Sequence, residues 1–385
     1  MRISDRNTVK TVLFLRGNSL DNMIGATDIE IAYALKERYN IYILTQKSSP
    51  GFEIKNVNGV TIIEVPYLNI PYFGALLFNI MAFIKLRAFK FNVIIVNHGL
   101  FITAYLYKKF YKKSKVVLDI RSIPVDSTGL RLLINEVCLK YSLNSDILSG
   151  ITIITESMFN YLKKKNTLNS RLPVAFWSSG VNKSIFMPIP KTPSKYIEIS
   201  DNSFIITYHG TLSQGRGILN LIKAISLLVE EGFDNIKLLL VGGGKDEDLF
   251  KEEVVRLRID HYVVFTGIVP YNGVPKVISV ADLAVIPFPK SEWWEYQSPM
   301  KIFEYLAMGI PIIATDLEAH RHISDSITLV PDNWPETISH YIKTFMKLDL
   351  VSREKLEKIA IKDSNKYTWE SQADILSEFL EKNII

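Results

Sequence analysis

The stretch FIITYHGTLSQGRGILNLIKAISLLV, residues 204–229, reads as a strand, a glycine-rich loop and a helix in direct succession. FIITY (204–208) is a short β-branched apolar run of the kind that forms a buried strand. Beyond the loop, Ile218, Leu221, Ile222, Ile225, Leu228 and Val229 fall at i, i+3, i+4, i+7, i+10 and i+11, one face of a helix. Toward the C-terminus the strand signal recurs at IKLLLV (236–241), YVVFT (262–266), LAVIP (283–287) and IPIIAT (310–315). Toward the N-terminus it recurs at TVLFLR (11–16), NIYILT (40–45), VTIIEV (60–65), NVIIV (92–96), KVVLDI (115–120) and GITIIT (150–155). Continuous apolar strands alternating with helices imply parallel sheets covered on both faces. The proline-bearing segment 187–203 reads as a linker, and the chain closes on a helical stretch with Ile375, Leu376, Phe379 and Leu380 apolar. The expected class is α/β: two Rossmann-like doubly wound domains, 1–190 and 191–366, with 367–385 a closing helix at the domain junction.

Composition narrows the chemistry. Of 385 residues, 48% are apolar, enough for two cores without metal or disulfide staples. A single cysteine, Cys138, excludes an intramolecular disulfide and any cysteine-cluster zinc site, and fits a reducing compartment. The first residues lack the apolar run of a secretory signal. The net charge of +5 hides a split: residues 1–190 carry 24 Lys and Arg against 12 Asp and Glu, whereas residues 191–385 carry 21 against 28. From Val65 to Leu118 there is no acidic residue, but there are eight basic ones: Lys85, Arg87, Lys90, Lys108, Lys109, Lys112, Lys113 and Lys115. With the aromatics around it, this stretch suits peripheral contact with an anionic membrane, or a solvated face over an ordinary core. Prolines and polar residues leave it too short to span. Nothing in it matches a nucleic-acid reader, so no nucleic-acid partner is expected.

In open α/β sheets, ligands bind beyond the carboxyl ends of strands, where backbone N–H groups and helix starts favour anions. Gly25 lies after the first strand, just before a helix expected to start near Thr27. In HGTLSQGRGI, Gly210, Gly215 and Gly217 permit a tight loop and Arg216 is placed to reach a phosphate; the GK[ST] ending of a Walker loop is missing. GGGKDED, after the next strand, reads as a turn. In SPMKIFEYLAMGIPIIATD, Ser298 and Pro299 start a helix with Lys301 in its first turn, where a cation opposes the dipole unless an anion sits there. Glu304, one turn on, either accepts hydrogen bonds from sugar hydroxyls or forms a structural pair with Lys301. No metal site is expected, since Asp246-Glu247-Asp248 reads as helix capping and the six histidines lack ligand spacing. His98 follows a strand end and serves either the acceptor or packing.

In their order, GTLSQGRGI, LLLVGGG, VVFTGIVP, ADLAVIPF and SPMKIFEYLAMGIPIIATD resemble the GT-B fold glycosyltransferases of family 4 (glycosyl transferases group 1). IGATDIEIAYALKERYNIYILT, ITIITESMFNYL, SSGVNKSIFMP and YTWESQADIL extend the resemblance over nearly the whole chain. It implies two domains facing a central cleft and a retaining, metal-independent transferase with no cofactor beyond the nucleotide-diphosphate-sugar co-substrate. The expected acceptor is a glycan or a lipid-linked acceptor in the biosynthesis of bacterial surface polysaccharide, such as lipopolysaccharide, capsule or exopolysaccharide. The expected location is cytoplasmic, peripheral on the inner face of the cell membrane.

Carried over by position, Gly215, Arg216 and Gly217 hold the diphosphate, with Gly210 and Thr211 in the same loop. Glu304 takes the donor ribose; Gly267, Val269 and Pro270 meet the base; Gly25 lines the phosphate side; amides around Ser298, Pro299 and Lys301 meet the diphosphate or sugar. Thr211 stands where the family often has Arg, with Lys301 a replacement charge, and Tyr296 stands at the first position of the EX7E pair. Arg121, where many members have His, and Asp119 either serve an acceptor phosphate or the leaving group, or form a buried pair. A nucleotide-sugar epimerase of the same fold, or a non-catalytic donor-binding subunit of a glycan assembly complex, are the alternatives.

Overall fold

A computed structural model describes residues 9–17, 23–47, 51–70, 73–123, 129–165, 168, 171–191, 196 and 203–385, without the side chains of 23–26 and 129–131. Most of the expected linker lies outside the described residues. The chain divides into two compact units: Met1–Ser179 with Trp369–Ile385, and Gly180–Thr368. The division falls before residue 190, and the closing helix belongs with the first unit.

In the first unit the described strands are β1 (Thr11–Leu15), β2 (Asn40–Lys47), β3 (Glu53–Val57), β4 (Val60–Pro66), β5 (Val93–Val96), β6 (Lys115–Ile120), β7 (Leu148–Ile153) and β8 (Val174–Phe176). They form one sheet in the order β3-β4-β2-β1-β5-β6-β7-β8, parallel except for the β3–β4 hairpin. The pairing of β1 with both β2 and β5 marks the point where strand order reverses, and Arg16 and Asn97 follow there. The strands are almost wholly apolar and buried because helices cover both faces. β3 was not legible from apolar runs, since its side chains are largely exposed. Its signal is the turn: Asn58 and Gly59 both take positive φ, as a two-residue hairpin requires. The first helix runs Met23–Leu35, so Gly25 lies inside its first turn rather than before it.

The second unit holds β9 (Phe204–His209), β10 (Ile236–Val241), β11 (Val263–Phe265), β12 (Leu283–Ile286), β13 (Ile312–Thr315) and β14 (Ile327–Val330). These form a parallel sheet, β11-β10-β9-β12-β13-β14, with its reversal between β9 and β12. Among the described residues, no helix of either unit is long and apolar enough to cross a membrane.

The closing helix Trp369–Phe379 packs on the first unit and buries Trp369, Leu376 and Phe379. Arg38 pairs with Asp374, and the Tyr39 hydroxyl lies 2.9 Å from Ser377 Oγ. β7 approaches so closely that a Cβ on Gly150 would lie 2.7 Å from Ile384 Cδ1 and 2.8 Å from Phe379 Cζ. Gly150→Val should therefore destabilise the first unit by about 1–3 kcal/mol through overpacking, read as a lower denaturant midpoint. An unchanged midpoint would show that the closing helix is not docked there.

Candidate functional site

In the second unit the site residues collect at the carboxyl ends of β9 and β12. The loop after β9 stays on its neighbour: Gly210 N–H donates to Val241 O (2.8 Å) and Leu212 N–H to Gly243 O (3.0 Å). The 242–244 glycines are thus more than the turn read from sequence. A Cβ on Gly242 would lie 2.2 Å from Gly210 O, and one on Gly244 1.9 Å from Leu212 O, so two backbones meet where no side chain fits. Asp246 sits at the cap position of the helix Glu247–Arg256 but makes no side-chain cap bond; its carboxylate accepts the Gln214 N–H at 2.9 Å.

The loop then turns through Gln214–Arg216 into the helix Ile218–Glu230. Gly217 makes the junction at φ 73°, and a Cβ there would lie 1.8 Å from Pro287 O, at the end of β12. Trp294 closes the other side: its Nε1–H donates to Gly215 O (2.7 Å) and its ring stacks on Phe288 at 3.9 Å. The Arg216 guanidinium lies 5.2 Å from the Trp294 ring centre. Thr211 is exposed in the same loop.

The helix Met300–Met308 starts beside this loop, with Ser298 buried and Pro299 at its cap position. Lys301, only 8% exposed, sets its ammonium 5.0 Å from the Tyr208 ring centre and 5.2 Å from that of Phe288. A Cβ on Gly210 would lie 3.3 Å from its Nζ. Burial, reinforced by the charge of Arg216 and opposed by that of Glu304, brings the Lys301 pKa down to about 7. The open question over Lys301 and Glu304 resolves against a pair: Glu304 Oε2 lies 2.6 Å from His209 Nε2, with both side chains buried. A carboxylate only accepts, so His209 presents Nε2–H to it and its Nδ1 is left buried without a partner. The backbone N–H of His209 donates to the Tyr305 hydroxyl at 2.7 Å, fixing the strand end to the same helix. Among the described residues, neither Arg216 nor Lys301 has a carboxylate within ion-pair distance.

Gly267, Val269 and Pro270 lie beyond β11, joined to the glycine segment by Gly242 N–H donating to Gly267 O (3.1 Å). Ile268 between them is 85% exposed, an apolar side chain held out over Gly243. His320 is buried, with Nδ1 against Thr315 O at 2.9 Å and Nε2 unpartnered; burial brings its pKa down to about 4. His209, Trp294, Ile268 and His320 escaped the sequence reading. Only the Trp293-Trp294 pair before the Ser298 motif carried a local signal.

In the first unit, Arg16 closes β1 and makes a buried triad: Nε donates to Asp28 at 2.6 Å and a terminal nitrogen to Asp119 at 2.8 Å. Burial alone would lower its pKa, but the two carboxylates outweigh that and hold it charged. Asp119 also accepts from Thr152 Oγ1 at 2.8 Å and is wholly buried. Arg121 does not join this pairing. It donates to Trp177 O at 2.6 Å, stacks over the Trp177 ring at 3.8 Å, and burial brings its pKa down to about 10. His98, after β5, is half-buried in a short turn capped by Asn97, and burial lowers its pKa. Among the described residues of both units, no group of three or more His, Cys, Asp or Glu is placed to hold a metal ion.

Two outcomes follow from this geometry. A folded-state Lys301 pKa near 7, against about 10.4 unfolded, makes the unfolded chain bind more protons between those values. Relative to Lys301→Met, the wild type should therefore lose stability as pH falls from about 10 to 7, by a few kcal/mol, in thermal melts without ligand. Parallel curves would place the amine in water. Gly217→Ala should destabilise strongly because its Cβ meets a carbonyl, whereas Gly215→Ala, with open space around it, should leave the melting temperature within about a degree or two.

Residues 203–347 match the family model described as Glycosyl transferases group 1. An uncharacterized glycosyltransferase of Methanocaldococcus jannaschii is 29% identical over 184 residues, 46% of this chain and 44% of that one. The putative teichuronic acid biosynthesis glycosyltransferase TuaH of Bacillus subtilis is 31% identical over 169 residues, 44% of this chain and 40% of its own. The chain thus spans about half the length, or less, of these curated relatives. Among solved structures, the sucrose-phosphate synthase of Thermosynechococcus elongatus superposes with TM-score 0.79 at 14% identity, over 97% of this chain and 98% of that one. Anabaena HepE, in complex with UDP and glucose, superposes with TM-score 0.71 at 14% identity, over 97% and 100%. The fold is that of the GT-B glycosyltransferases, and the segment that builds the glycine loop and the Lys301 helix is the one that matches the glycosyl transferases group 1 model.

Proposed function

We propose that this protein is a retaining glycosyltransferase that moves a sugar from a nucleotide-diphosphate donor to a glycan or lipid-linked acceptor in surface polysaccharide assembly. One observation carries the reading: Arg216 and Lys301 stand unpaired at a strand-order reversal, beside a loop whose backbone is open to a ligand. Two cations brought together, one largely desolvated, favour an anion of comparable charge that joins them, and a diphosphate is such an anion. The glycosyl C–O bond to the diphosphate breaks, the acceptor hydroxyl oxygen bonds to the same carbon on the same face, its proton passes to the departing diphosphate oxygen, and the departing charge is met by Arg216, Lys301 and loop amides. Glu304, held by His209, accepts from the donor ribose, and the Gly267–Pro270 segment meets the base. By the family resemblance, Gly25 is assigned to the donor and His98 and Arg121 to the acceptor. No metal or other cofactor is required in this scheme. The acceptor class finds support in the teichuronic acid biosynthesis relative, and the donor class in the UDP and glucose of the HepE complex. The reading places the protein in the cytoplasm, in peripheral contact with an anionic membrane face.

A screen of nucleotide-sugars by thermal shift tests this directly. The true donor at 100 times its Kd should stabilise by ~2.7 kcal/mol. Arg216→Ala should remove most of that shift, and donor without acceptor should be recovered unconverted. If no nucleotide-sugar shifts the melt, the transferase reading fails.

A further inference from the structure

The helix Gly74–Leu86, between β4 and β5, is apolar on its outer face as well as its inner one. Its inner face buries Phe78, Asn79, Ala82 and Leu86, and Asn79 spends its amide on Ala75 O, Gly99 O and Thr103. On the outer face, Phe73, Leu76, Ile80 and Ile84 are 39% to 62% exposed. Their spacing of three, four and four residues sets them in one stripe, and three residues on it ends at Arg87. Leu68 and Ile70, also exposed, extend the apolar surface before the helix. A helix apolar all round belongs inside a protein or against a non-aqueous surface. This one has only half of that covering.

The neighbouring helix Phe101–Phe110 completes the surface. Phe110, itself exposed, meets the Phe83 ring edge-on at 6.3 Å and lies under Arg87 at 5.2 Å. The Tyr111 hydroxyl donates to Arg87 O at 2.7 Å, so the two helices end together. Exposed Arg87, Lys90, Lys109, Lys112 and Lys113 gather at that end. Lys108 does not count among them, because its ammonium is taken up by Lys112 O and Ser114 O. Lys109 has Asp146 at 4.0 Å, but no acidic residue lies anywhere between Val65 and Leu118. A protein partner with an apolar face would need the stripe alone. The stripe, about 20 Å long, joined to a predominantly basic end, matches a surface that is apolar within and negatively charged at its border.

We propose that this face docks in the interface of an anionic lipid bilayer, with Phe73, Leu76, Ile80 and Ile84 among the acyl chains and Arg87, Lys112 and Lys113 on lipid phosphates. The proposal rests on the peripheral-membrane part of the function above and gives it a surface; it is independent of the transfer chemistry.

The test is co-sedimentation with vesicles of phosphatidylcholine, with and without phosphatidylglycerol. The wild type should bind the anionic vesicles, and more weakly as salt rises. The triple variant Arg87→Ala, Lys112→Ala, Lys113→Ala should bind about a hundredfold more weakly, and Leu76→Ser, Ile80→Ser, Ile84→Ser about tenfold or more. Both should keep the wild-type melting temperature and its nucleotide-sugar shift, since none of these residues lies at the donor site. Wild-type binding that both variants retain would overturn the proposal while leaving membrane contact standing; no wild-type binding removes both. Equal binding to pure phosphatidylcholine also overturns it. So does a concentration-dependent dimer that the serine variant abolishes, which would assign the stripe to a second copy.

Discussion

Two backbones pressed together without intervening side chains hold the second unit's site in place. Residues 210–212 continue alongside 242–244 after β9 and β10 have ended, and the approach is too close for a Cβ on Gly242 or Gly244. Everything in the glycine loop is placed from that contact. Asp246 then takes the Gln214 amide, Trp294 takes the Gly215 carbonyl, and Gly217 turns the chain into its helix against the Pro287 carbonyl. Gln214 N–H and Gly215 O are each tied by a hydrogen bond from outside the loop, so the loop is tethered at both places before any ligand arrives. Preorganisation of this kind reduces what a ligand's binding energy must spend on ordering.

The distribution of charge runs opposite to the totals. The first half of the chain is the basic one, yet at its strand ends Arg16 is neutralised by Asp28 and Asp119 and Arg121 is capped by a carbonyl and a tryptophan face. The second half is acidic overall, yet Arg216 and Lys301 near its strand ends lack carboxylate partners among the described residues. A paired buried cation is largely a structural element, because removing one partner strands the other at a cost of about 3–5 kcal/mol. An unpaired one is a standing demand for an anion. Net charge locates the surface properties of each half, and pairing locates the chemistry.

The strand runs were legible because parallel strands buried on both faces are written as unbroken apolar residues. β3, β8 and β14 were not: the first is an exposed hairpin edge, the second a three-residue edge strand, and the third a short strand with two half-buried positions. Gly217, Arg216 and Lys301 were legible because each answers a local rule of loops and helix starts. His209 and Glu304 stand 95 positions apart and meet only after β9 and the Met300–Met308 helix have packed. No periodicity records that. The turn read in the glycine segment after β10 is present at Lys245 and Asp246, but the close packing of its glycines was not legible, since their neighbour is another backbone and a backbone leaves no side-chain signature in sequence.

The His209–Glu304 contact also explains how a lysine stays available three residues from a glutamate on one helix. At that spacing an exposed Lys and Glu would pair across the helix surface. Here the glutamate is drawn toward β9 by an imidazole whose strand is itself bonded to Tyr305, the next residue of the same helix. Lys301 turns instead onto the rings of Tyr208 and Phe288, which attract a cation through their faces but donate nothing and neutralise nothing. The dipole at the helix start opposes the ammonium, and so does the charge of Arg216. All of these terms reverse in sign for a bound anion: the dipole, Arg216 and the ammonium then act in one direction. A position that is unfavourable for the empty protein is thereby favourable for the complex, and the energy set aside in folding Lys301 into that place returns as selectivity for a ligand carrying negative charge.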